Sequence, residues 1–419
     1  MSSDEPGTTG DRDLHTSIIP QVSEHCETFE ICNNMDVAIT VEPCKPEDLE
    51  SLGKVWSVTY NNGEPFERNP DKPRLSEDFI AKSNGVAVGG FGVSPMSATR
   101  GEAEFQCAGV LAVAVMPHVR GGGVGGKMMR FGIREYFERG YELASLYAFK
   151  ESFYRAFGYE TTGLRYKISV DMNVFPRVKA TLPIRQLDAG SVDLIQDCYR
   201  SFAHKRSGLN LRHDHQWNRI LPPDSKRTIY AAGDPIEAYA ILQHKVEFWQ
   251  DQEVVEFVWT TKRGYDSILS VIAGTGINKK NAVWVEPSDS PFRTRYWDHD
   301  ANVVGLTPQL MFRVLNVKKG LEGLKPVNSG SFTIQITDDV IPENNGPFRV
   351  TFSPSGVTVE AAESAGFTMD IRQFTQAFMG EPSLANLVMN DLVEIRDMEQ
   401  VREAEKLLTP SPTICFEMF

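Results

Sequence analysis

Alternating hydrophobic and polar positions predict that the first part of the chain folds into a sheet with helices packed on it. Period-two alternation predicts a succession of strands at 38–41, 78–82, 86–95, 105–115, 143–148 and 165–171. The pair Asn84-Gly85 predicts a tight hairpin turn between two of these strands. Helical spacing predicts helices at 46–60 and 153–157, and we expect the strand at 165–171 to close the first domain.

Two further blocks of mixed structure follow a predicted linker between Pro176 and Pro183. The second block is expected to hold strands and helices at 191–204, 228–232, 238–244, 254–260 and 266–273. The third is expected to hold them at 332–337, 348–352, 357–360, 371–379 and 398–408. We therefore predict an α/β (α+β) protein with domains at 37–175, 183–325 and 326–419, behind a mobile acidic tail at 1–36.

The end of the chain is unusually apolar for a terminus, which is normally polar and frayed. Residues 412–419 read PTICFEMF. This composition predicts that the end of the chain docks into a groove.

A glycine-rich loop joins an apolar strand to an amphipathic helix within residues 110–139. Five of the six residues 121–126 are glycine, and each costs a helix about 1 kcal/mol relative to alanine. Backbone N–H groups at a helix start carry the positive end of the helix dipole, and glycine lets an anion approach without a Cβ in the way. The segment therefore predicts a site for a phosphate-bearing ligand.

The loop satisfies parts of two familiar phosphate-binding motifs. Gly121, Gly123 and Gly126 fit the dinucleotide pattern G-x-G-x-x-G, but that fold places its first glycine directly at the strand end, and other residues intervene here. The spacing of Gly121, Gly126 and Lys127 nearly fits the nucleotide P-loop. Met128, however, stands where a hydroxyl must bind magnesium.

Composition limits the classes of function. The 419 residues are 41% hydrophobic and 24% charged, which is ordinary for a globular chain, and the net charge of −13 argues against nucleic acid as a partner. No apolar run approaches the roughly 18 residues of a membrane helix, and the N-terminus lacks a signal-peptide pattern. The six cysteines show neither metal-type nor disulfide spacing. We expect a cytoplasmic protein with free thiols, no metal and no membrane association.

The pattern Arg120-x-x-Gly123-x-Gly125, after a strand ending Val-x-Val-x-Pro, resembles the acetyl-CoA signature of the GNAT superfamily of N-acetyltransferases. With the segments FYRAFGY at 153–159, VEPSDSP at 285–291, LMFRVLNV at 310–317 and the terminal Phe419, the chain resembles the enhanced intracellular survival (Eis) family. The resemblance implies two tandem GNAT-type mixed-sheet domains and a C-terminal sterol-carrier-protein-like domain. It also implies a homohexamer that acetylates primary amines. The second GNAT-type domain lacks the glycine loop, so we do not expect it to bind CoA.

The same resemblance implies acetyl-CoA as co-substrate and roles for individual residues. Tyr154 matches the general acid of the family, and Phe419 matches its general base through the terminal carboxylate. Transfer requires both, because the amine must lose a proton and the departing thiolate must gain one. The expected acetyl-CoA contacts are Val113, Ala114, Val115, Arg120, Gly121, Gly122, Gly123, Val124, Gly125, Gly126 and Phe149. The backbone N–H near Val113 is either an oxyanion donor or an ordinary ladder donor, and both interpretations stay open.

The sequence leaves the acceptor open, because the residues expected around it depart from the family pattern. Tyr147 stands where some relatives have a histidine, and Met418 rather than an acid precedes the terminal residue. Glu64, Glu67 and Glu417 are candidate contacts for a cationic amine. A polyamine, an aminoglycoside-like amine and a protein lysine remain possible acceptors. A non-catalytic protein that binds CoA, or a lipid in the sterol-carrier-like domain, is the alternative from another class.

Overall fold

The computed structural model describes residues 38–65, 76–222, 225–244, 249–300, 302–307 and 309–417. The tail predicted at 1–36 lies outside these residues, as do Glu67, Met418 and Phe419. The described chain forms three mixed sheets of seven, seven and five strands, with helices packed on them. The predicted α/β (α+β) class is confirmed. None of the helices in these ranges is both long and apolar enough to cross a bilayer.

The first stretch follows the sequence pattern closely. Its strands are β1 (Ile39–Pro43), β2 (Glu77–Ser83), β3 (Val86–Arg100), β4 (Ala103–Val115), β5 (Leu143–Leu146), β6 (Glu160–Thr161) and β7 (Arg165–Asp171). Its helices are α1 (Leu49–Tyr60), α2 (Val124–Glu138) and α3 (Glu151–Arg155). Asn84 and Gly85 form the predicted turn, with φ of 50° and 80°, the positive values that a tight hairpin requires.

The second stretch contains every element predicted for it. Its strands are β8 (Ile184–Leu187), β9 (Arg227–Ala232), β10 (Ala238–Gln243), β11 (Gln252–Trp259), β12 (Asn281–Pro287), β13 (Asn302–Leu306) and β14 (Met311–Val314). Its helices are α4 (Gln196–Ala203), α5 (Asp214–Ile220), α6 (Lys262–Gly274), α7 (Pro291–Arg295) and α8 (Val317–Gly323). The single helix predicted at 191–204 is divided, because a short 3-10 segment, Ala189–Leu194, precedes α4.

The third stretch also matches its predicted strands and helices. Its strands are β15 (Gly330–Thr337), β16 (Gly346–Ser353), β17 (Gly356–Ala361), β18 (Phe367–Asp370) and β19 (Glu394–Ile395). Its helices are α9 (Ile371–Met379), α10 (Leu384–Met389) and α11 (Met398–Glu405). The five strands form one sheet in the order β17-β16-β15-β18-β19.

Two strands are exchanged between the first two sheets. The strand orders are β1-β2-β3-β4-β5-β14-β6 and β13-β7-β12-β11-β10-β9-β8. The strand predicted to close the first domain, β7, pairs with β12 and β13 in the second sheet. β14 takes the place between β5 and β6, and all four of its residues are buried. Alternation along a strand shows which residues are buried, but it does not identify the neighbouring strand.

The first and third sheets share one hydrophobic core. Phe105 and Phe312 of the first sheet cluster with Phe332 and Ile334 of the third. The ring of Phe378 on α9 lies 5.4 Å from that of Phe105, edge to face. The third sheet is thus packed on the back of the sheet that carries the glycine loop.

Candidate active site

Strand β4 carries a bulge beside the end of α1. The pairing register between β3 and β4 shifts between Gly90 and Gly92, so Ala112 and Val113 stand opposite a single residue. Ala112 has a φ of 51°, which is uncommon for a residue other than glycine. Such bulges change the direction of a strand and are frequent next to active sites.

Helix α1 holds this bulge with two side-chain hydrogen bonds. Trp56 Nε1 donates to the Ala112 carbonyl at 2.8 Å, and the Tyr60 hydroxyl donates to the Val113 carbonyl at 2.6 Å. The two donors are four residues apart and therefore lie on one face of the helix. The bulged backbone is fixed by side chains rather than by a neighbouring strand.

Strands β4 and β5 separate next to the bulge. They pair in parallel only where Cys107–Val110 lies beside Leu143–Leu146. From there β4 continues to Val115 along the edge of an open cavity of about 1230 Å³. Val113 and Val115, two of the predicted acetyl-CoA contacts, line this cavity.

The loop at 121–126 forms another wall of the cavity. Gly121 and Gly123 have φ of 86° and 83°, a conformation that side chains with a Cβ rarely adopt. A Cβ built on either glycine meets no protein atom within 4 Å, so the space in front of this backbone is open. At Gly125 a Cβ would come within 3.1 Å of Phe153 Cζ. Glycine is therefore required by the backbone at 121 and 123, and favoured by packing at 125.

Helix α2 begins at this loop without a side-chain cap. Its N-cap residue is Gly123, and the Lys127 N–H donates to the Gly123 carbonyl at 3.0 Å. The N–H groups of Val124, Gly125 and Gly126 precede that bond and have no acceptor within the helix. All three residues line the cavity. The positive end of the helix dipole therefore faces open space, an arrangement that suits an anion.

Arg120 adds a positive charge at the same end of the cavity. Its side chain is exposed, and its Nε donates to the Val115 carbonyl at 3.0 Å. It is the one charged side chain among the described residues that line the cavity. A guanidinium next to unpaired N–H groups is well suited to a phosphate-bearing ligand.

Two of the predicted contact residues do not line the cavity. Ala114 is 1% exposed and packs against Leu52 and Val55 of α1, because strand residues alternate between faces. Gly122 donates its N–H to the Val119 carbonyl at 3.2 Å and so uses this donor within the loop. The other nine predicted acetyl-CoA contacts line the cavity.

Aromatic rings from α3 and the residues before it form a further wall. The ring centroids of Phe149 and Tyr154 are 5.9 Å apart, and those of Phe153 and Tyr154 are 4.9 Å apart. Phe149 is 75% exposed and stacks on Phe153 at 6.3 Å. This exposed ring gives the cavity an apolar rim.

Tyr154 reaches the cavity although it is only 2% exposed. Burial raises the pKa of the Tyr154 phenol well above its ordinary value, and the nearby Tyr60 hydroxyl raises it further. The phenol is consequently protonated at neutral pH and is able to donate a proton or a hydrogen bond.

The C-terminal segment docks in a groove, as its apolar sequence predicted. Ile414 and Cys415 are 0% and 1% exposed, and the Ile414 N–H donates to the Ser207 carbonyl at 3.0 Å. The Tyr147 hydroxyl, on the cavity wall, donates to the Glu417 carbonyl at 2.9 Å. At Glu417 the segment therefore contacts a residue of the cavity wall. Phe419, the predicted general base, lies outside the described residues.

Glu417 is not available to bind a cationic substrate. Its Oε1 accepts from Arg212 Nε at 2.6 Å, and its Oε2 accepts from Cys415 Sγ at 3.3 Å. The expectation that Glu417 contacts the amine is therefore wrong, because this carboxylate is buried and both of its oxygens already accept from protein groups. Glu64 does not line the cavity, and Glu67 lies outside the described residues.

In the second sheet, the helix that corresponds to α2 is α6, and protein groups cap its N-terminus. α6 follows β11 as α2 follows β4, but the Thr261 hydroxyl caps α6 by accepting from the Gly264 N–H at 3.1 Å. That hydroxyl donates to the Glu237 carboxylate at 2.6 Å, and Arg263 pairs with the same carboxylate. A hydroxyl and a carboxylate of the protein thus stand where α2 presents free N–H groups.

Sequence reasoning missed part of the cavity wall. Trp56, Thr59 and Tyr60 of α1 line it, as do Leu111 and Phe153. The spacing of three and four residues along α1 was visible in the sequence. An apolar and aromatic stripe at that spacing is normally the side of a helix that faces the core, so it did not single out a site.

Comparisons with known families and structures agree with this geometry. A family model described as an acetyltransferase (GNAT) domain matches residues 40–162, and one described as a sterol carrier protein domain matches residues 317–416. Among curated proteins, no sequence matches the chain significantly.

Several solved structures share the fold over most of the chain. A probable N-acyltransferase from Enterococcus faecalis is 19% identical, with a TM-score of 0.81, covering 91% of this chain and 100% of that one. A GCN5-related N-acetyltransferase from Anabaena variabilis is 17% identical, with a TM-score of 0.79 and the same coverage of 91% and 100%. Eis1 from Mycobacterium abscessus is 17% identical, with a TM-score of 0.74, again covering 91% and 100%. The chain therefore contains an acetyltransferase (GNAT) domain and a C-terminal sterol carrier protein domain, and it shares its overall fold with Eis1 from Mycobacterium abscessus.

Proposed function

We propose that the protein transfers the acetyl group of acetyl-CoA directly to a primary amine in the cavity between β4 and β5. The observation that carries this proposal is the uncapped start of α2, which lies with Arg120 and the open glycine backbone on the same cavity as Tyr154. A CoA-dependent transfer requires a site for the CoA phosphates and a proton donor for the departing thiolate. The anion site and the protonated phenol offer these two in one cavity.

The acetyl-CoA phosphates are proposed to bind at the loop, where Val124, Gly125 and Gly126 offer N–H groups without helical acceptors. The open edge of β4 at Val113 and Val115 offers backbone groups to the amides of the pantetheine arm. The bulge at Ala112 disrupts the ladder there, which supports an oxyanion-binding role for this backbone over an ordinary ladder bond.

Tyr154 is proposed to act as the general acid. The amine nitrogen attacks the thioester carbonyl, the C–S bond breaks, and the departing thiolate takes the Tyr154 proton. The products are an amide and free CoA, and the phenolate regains its proton from water. The raised pKa of Tyr154 keeps the donor protonated before each turnover.

The terminal carboxylate of Phe419 is proposed to take the amine proton, as the family resemblance implies. The docked segment supports this role, because the Glu417 carbonyl is hydrogen-bonded to Tyr147 on the cavity wall. Two further residues span at most about 7 Å when extended. The proposal therefore places no more than two residues between the Tyr147 contact and the base.

The cavity wall favours an amine carried on an apolar group. Trp56, Tyr60, Leu111 and Phe149 line it, and no carboxylate does so in the described part of the chain. Along this described part of the wall, each additional ammonium of a polycation would lose water without gaining an ion pair with a side chain. The effective penalty for a buried ion is on the order of several kcal/mol. We therefore rank a monoamine above a polyamine or an aminoglycoside as the acceptor.

A lipid-binding role is less well supported than the transferase reaction. The apolar residues of the third sheet, such as Phe332 and Ile334, pack in the core shared with Phe105 and Phe312. This packing favours a structural role for the sterol carrier protein domain.

The experiment that tests the proposal follows CoA thiol release from acetyl-CoA with alkyl and arylalkyl monoamines, polyamines, aminoglycosides and lysine peptides. The protein carries no tag after Phe419. Amine-dependent release is expected. Binding of acetyl-CoA without release with any of these amines would overturn the transferase proposal for small amines and peptides.

A further inference from the structure

The cavity is lined from both faces of the first sheet. Val113 of β4 packs in one cluster with Val124 of α2, whereas its neighbour Ala114 packs in another with Trp56 of α1. Because strand residues alternate between faces, α1 and α2 lie on opposite faces of the sheet. The glycine loop lines the cavity from the α2 face, and Trp56 and Tyr60 line it from the α1 face. Since acetyl-CoA is proposed to bind at the start of α2, the α1 face is left for the acceptor.

Tyr147 lies on the same face as α1. Ala144 and Leu146 of β5 pack in the cluster that contains α2. Leu143 and Tyr147 pack instead in the core shared with the third sheet, which covers the opposite face. Tyr147 also lines the cavity. Its hydroxyl is therefore on the side of the cavity that is left for the acceptor.

Arg165, the first residue of β7, places a guanidinium beside this hydroxyl. Its Nη1 donates to the Tyr147 hydroxyl oxygen at 3.4 Å, which is the one side-chain hydrogen bond of Arg165 within the described chain. Its Nε is buried without an acceptor, and its Nη2, which bonds to no described residue, is not enclosed. A guanidinium has five N–H donors. Most of the donors of this half-buried cation are therefore unused.

The nearby carboxylates of the protein are bound to a different arginine. Glu417, whose carbonyl accepts from Tyr147, has its carboxylate on Arg212 at 2.6 Å. Glu256 accepts from the same guanidinium at 3.0 Å. Arg165 thus keeps a positive charge that no carboxylate of the described chain balances. A partly buried charge without a counter-ion costs free energy, so an anion bound at Arg165 would lower that cost.

We propose that Arg165 binds a carboxylate of the acceptor, so that the substrate class is an amine that also carries a carboxylate, such as an amino acid. The inference rests on the proposed transferase function. A carboxylate that accepts from Nη1 and Nη2 at about 3 Å has an oxygen within about 7 Å of the Tyr147 hydroxyl oxygen. One guanidinium balances one negative charge, which fits a carboxylate rather than a phosphate of nearly two charges. The carbon chain of such an acceptor would contact Trp56 and Tyr60.

The test compares each amino acid with the amine that remains when its carboxylate is removed. The pairs are 4-aminobutyrate with propylamine, 6-aminohexanoate with pentylamine, and leucine with 3-methylbutylamine. For each, kcat/KM is calculated on the concentration of unprotonated amine, so that differences in amine basicity do not enter. We expect the amino acid to be the better acceptor in at least one pair, by about tenfold, the usual effect of a hydrogen bond to a charged group. A higher kcat/KM for the simple amine in all three pairs would overturn the inference.

Replacing the guanidinium should remove this preference. In Arg165→Met we expect kcat/KM of the preferred amino acid to fall about tenfold, to the value of its simple amine, while the simple amine changes less than twofold. An equal loss with both would assign Arg165 a structural role and contradict the proposal. Arg185→Met is the matched control, because Arg185 is also a strand residue of the second sheet and donates to a neutral oxygen, the Gly233 carbonyl, at 3.2 Å. The control should keep the preference for the amino acid.

A binding measurement separates this inference from the proposed function. Isothermal calorimetry with 6-acetamidohexanoate and with N-pentylacetamide, in the presence and absence of CoA, requires no turnover. The native protein should bind the carboxylate at millimolar concentration and more tightly than the neutral amide, and Arg165→Met should lose the difference. If no amine is turned over, the proposed transfer to small amines is wrong, and this measurement alone decides on Arg165. Equal binding of the two probes by the native protein, or no binding of either, would exclude the carboxylate site.

Discussion

The Tyr60 hydroxyl donates a 2.6 Å hydrogen bond to the carbonyl of Val113, which fastens the end of α1 to the bulged strand of the cavity. Val113 lies where β4 has left its pairing with β5. This bond therefore joins the helix that lines one wall to the backbone that we propose binds the pantetheine arm.

Removing this hydroxyl should loosen the bulge. For Tyr60→Phe we expect about 1 kcal/mol less stability, because a satisfied carbonyl loses its donor. We expect kcat/KM to fall several-fold, measured with saturating amine and varied acetyl-CoA. Tyr230→Phe is the control, since it removes a hydroxyl bonded at 3.5 Å to Gln186 on the second sheet. Equal kinetics in both variants would show that the bond has no part in catalysis.

Tyr154→Phe should slow turnover by about 10²- to 10⁴-fold, the usual contribution of a general acid. Acetyl-CoA affinity, followed by isothermal calorimetry, should change less than twofold because the phosphates are proposed to bind at α2. Tyr159→Phe is the control, since Tyr159 is 1% exposed and its ring lies 6.2 Å from that of Tyr154, outside the cavity lining. Full turnover of Tyr154→Phe would exclude the phenol as the acid.

The pH dependence of kcat should also reflect the role of Tyr154 as the general acid. Because burial raises the pKa of Tyr154, its proton is present at all pH values below that raised pKa and is lost only above it. The alkaline decline of kcat due to this group should therefore begin above the ordinary tyrosine pKa of about 10. An alkaline decline that is identical in Tyr154→Phe would assign it to another group.

Gly123→Ala should abolish acetyl-CoA binding at concentrations that saturate the native protein. The backbone at Gly123 has a φ of 83°, and a left-handed residue with a Cβ costs roughly 1–2 kcal/mol. Gly85→Ala is a matched control: Gly85 has a φ of 80°, its Cβ would also meet open space, and it lies in the β2–β3 turn. Both variants should lose similar stability, but only Gly85→Ala should still be stabilised by CoA in thermal unfolding. Stabilisation of both would show that the loop is not the CoA site.

The acceptor class can be tested with a matched pair of substrates. Hexylamine and 1,6-diaminohexane have the same carbon chain and differ in one ammonium group. Since no carboxylate lines the described cavity wall, hexylamine should show the higher kcat/KM, by about tenfold or more. The reverse order would indicate that a polycation is the natural class of acceptor.

The sequence by itself determined the local parts of this protein. The glycine run at 121–126, the strand before it and the amphipathic helix after it predicted the loop and the start of α2, because these depend on neighbours in the chain. The Asn84-Gly85 turn was predicted for the same reason, whereas the apolar composition of the chain end predicted that it docks but not where. Ala114 and Gly122 were included as contacts because a motif does not show which way each residue faces.

Only the tertiary structure decided the relationships between distant segments. The exchange of β7 and β14 depends on which strand edge each one meets, and the hydrophobic pattern along either strand does not specify that edge. Likewise, Arg212 and Glu417 are 205 residues apart and meet only because the chain end docks beside the second sheet. The pairing matters because both side chains are buried. An unpaired charge inside the protein costs free energy, and a paired one is held in a single geometry.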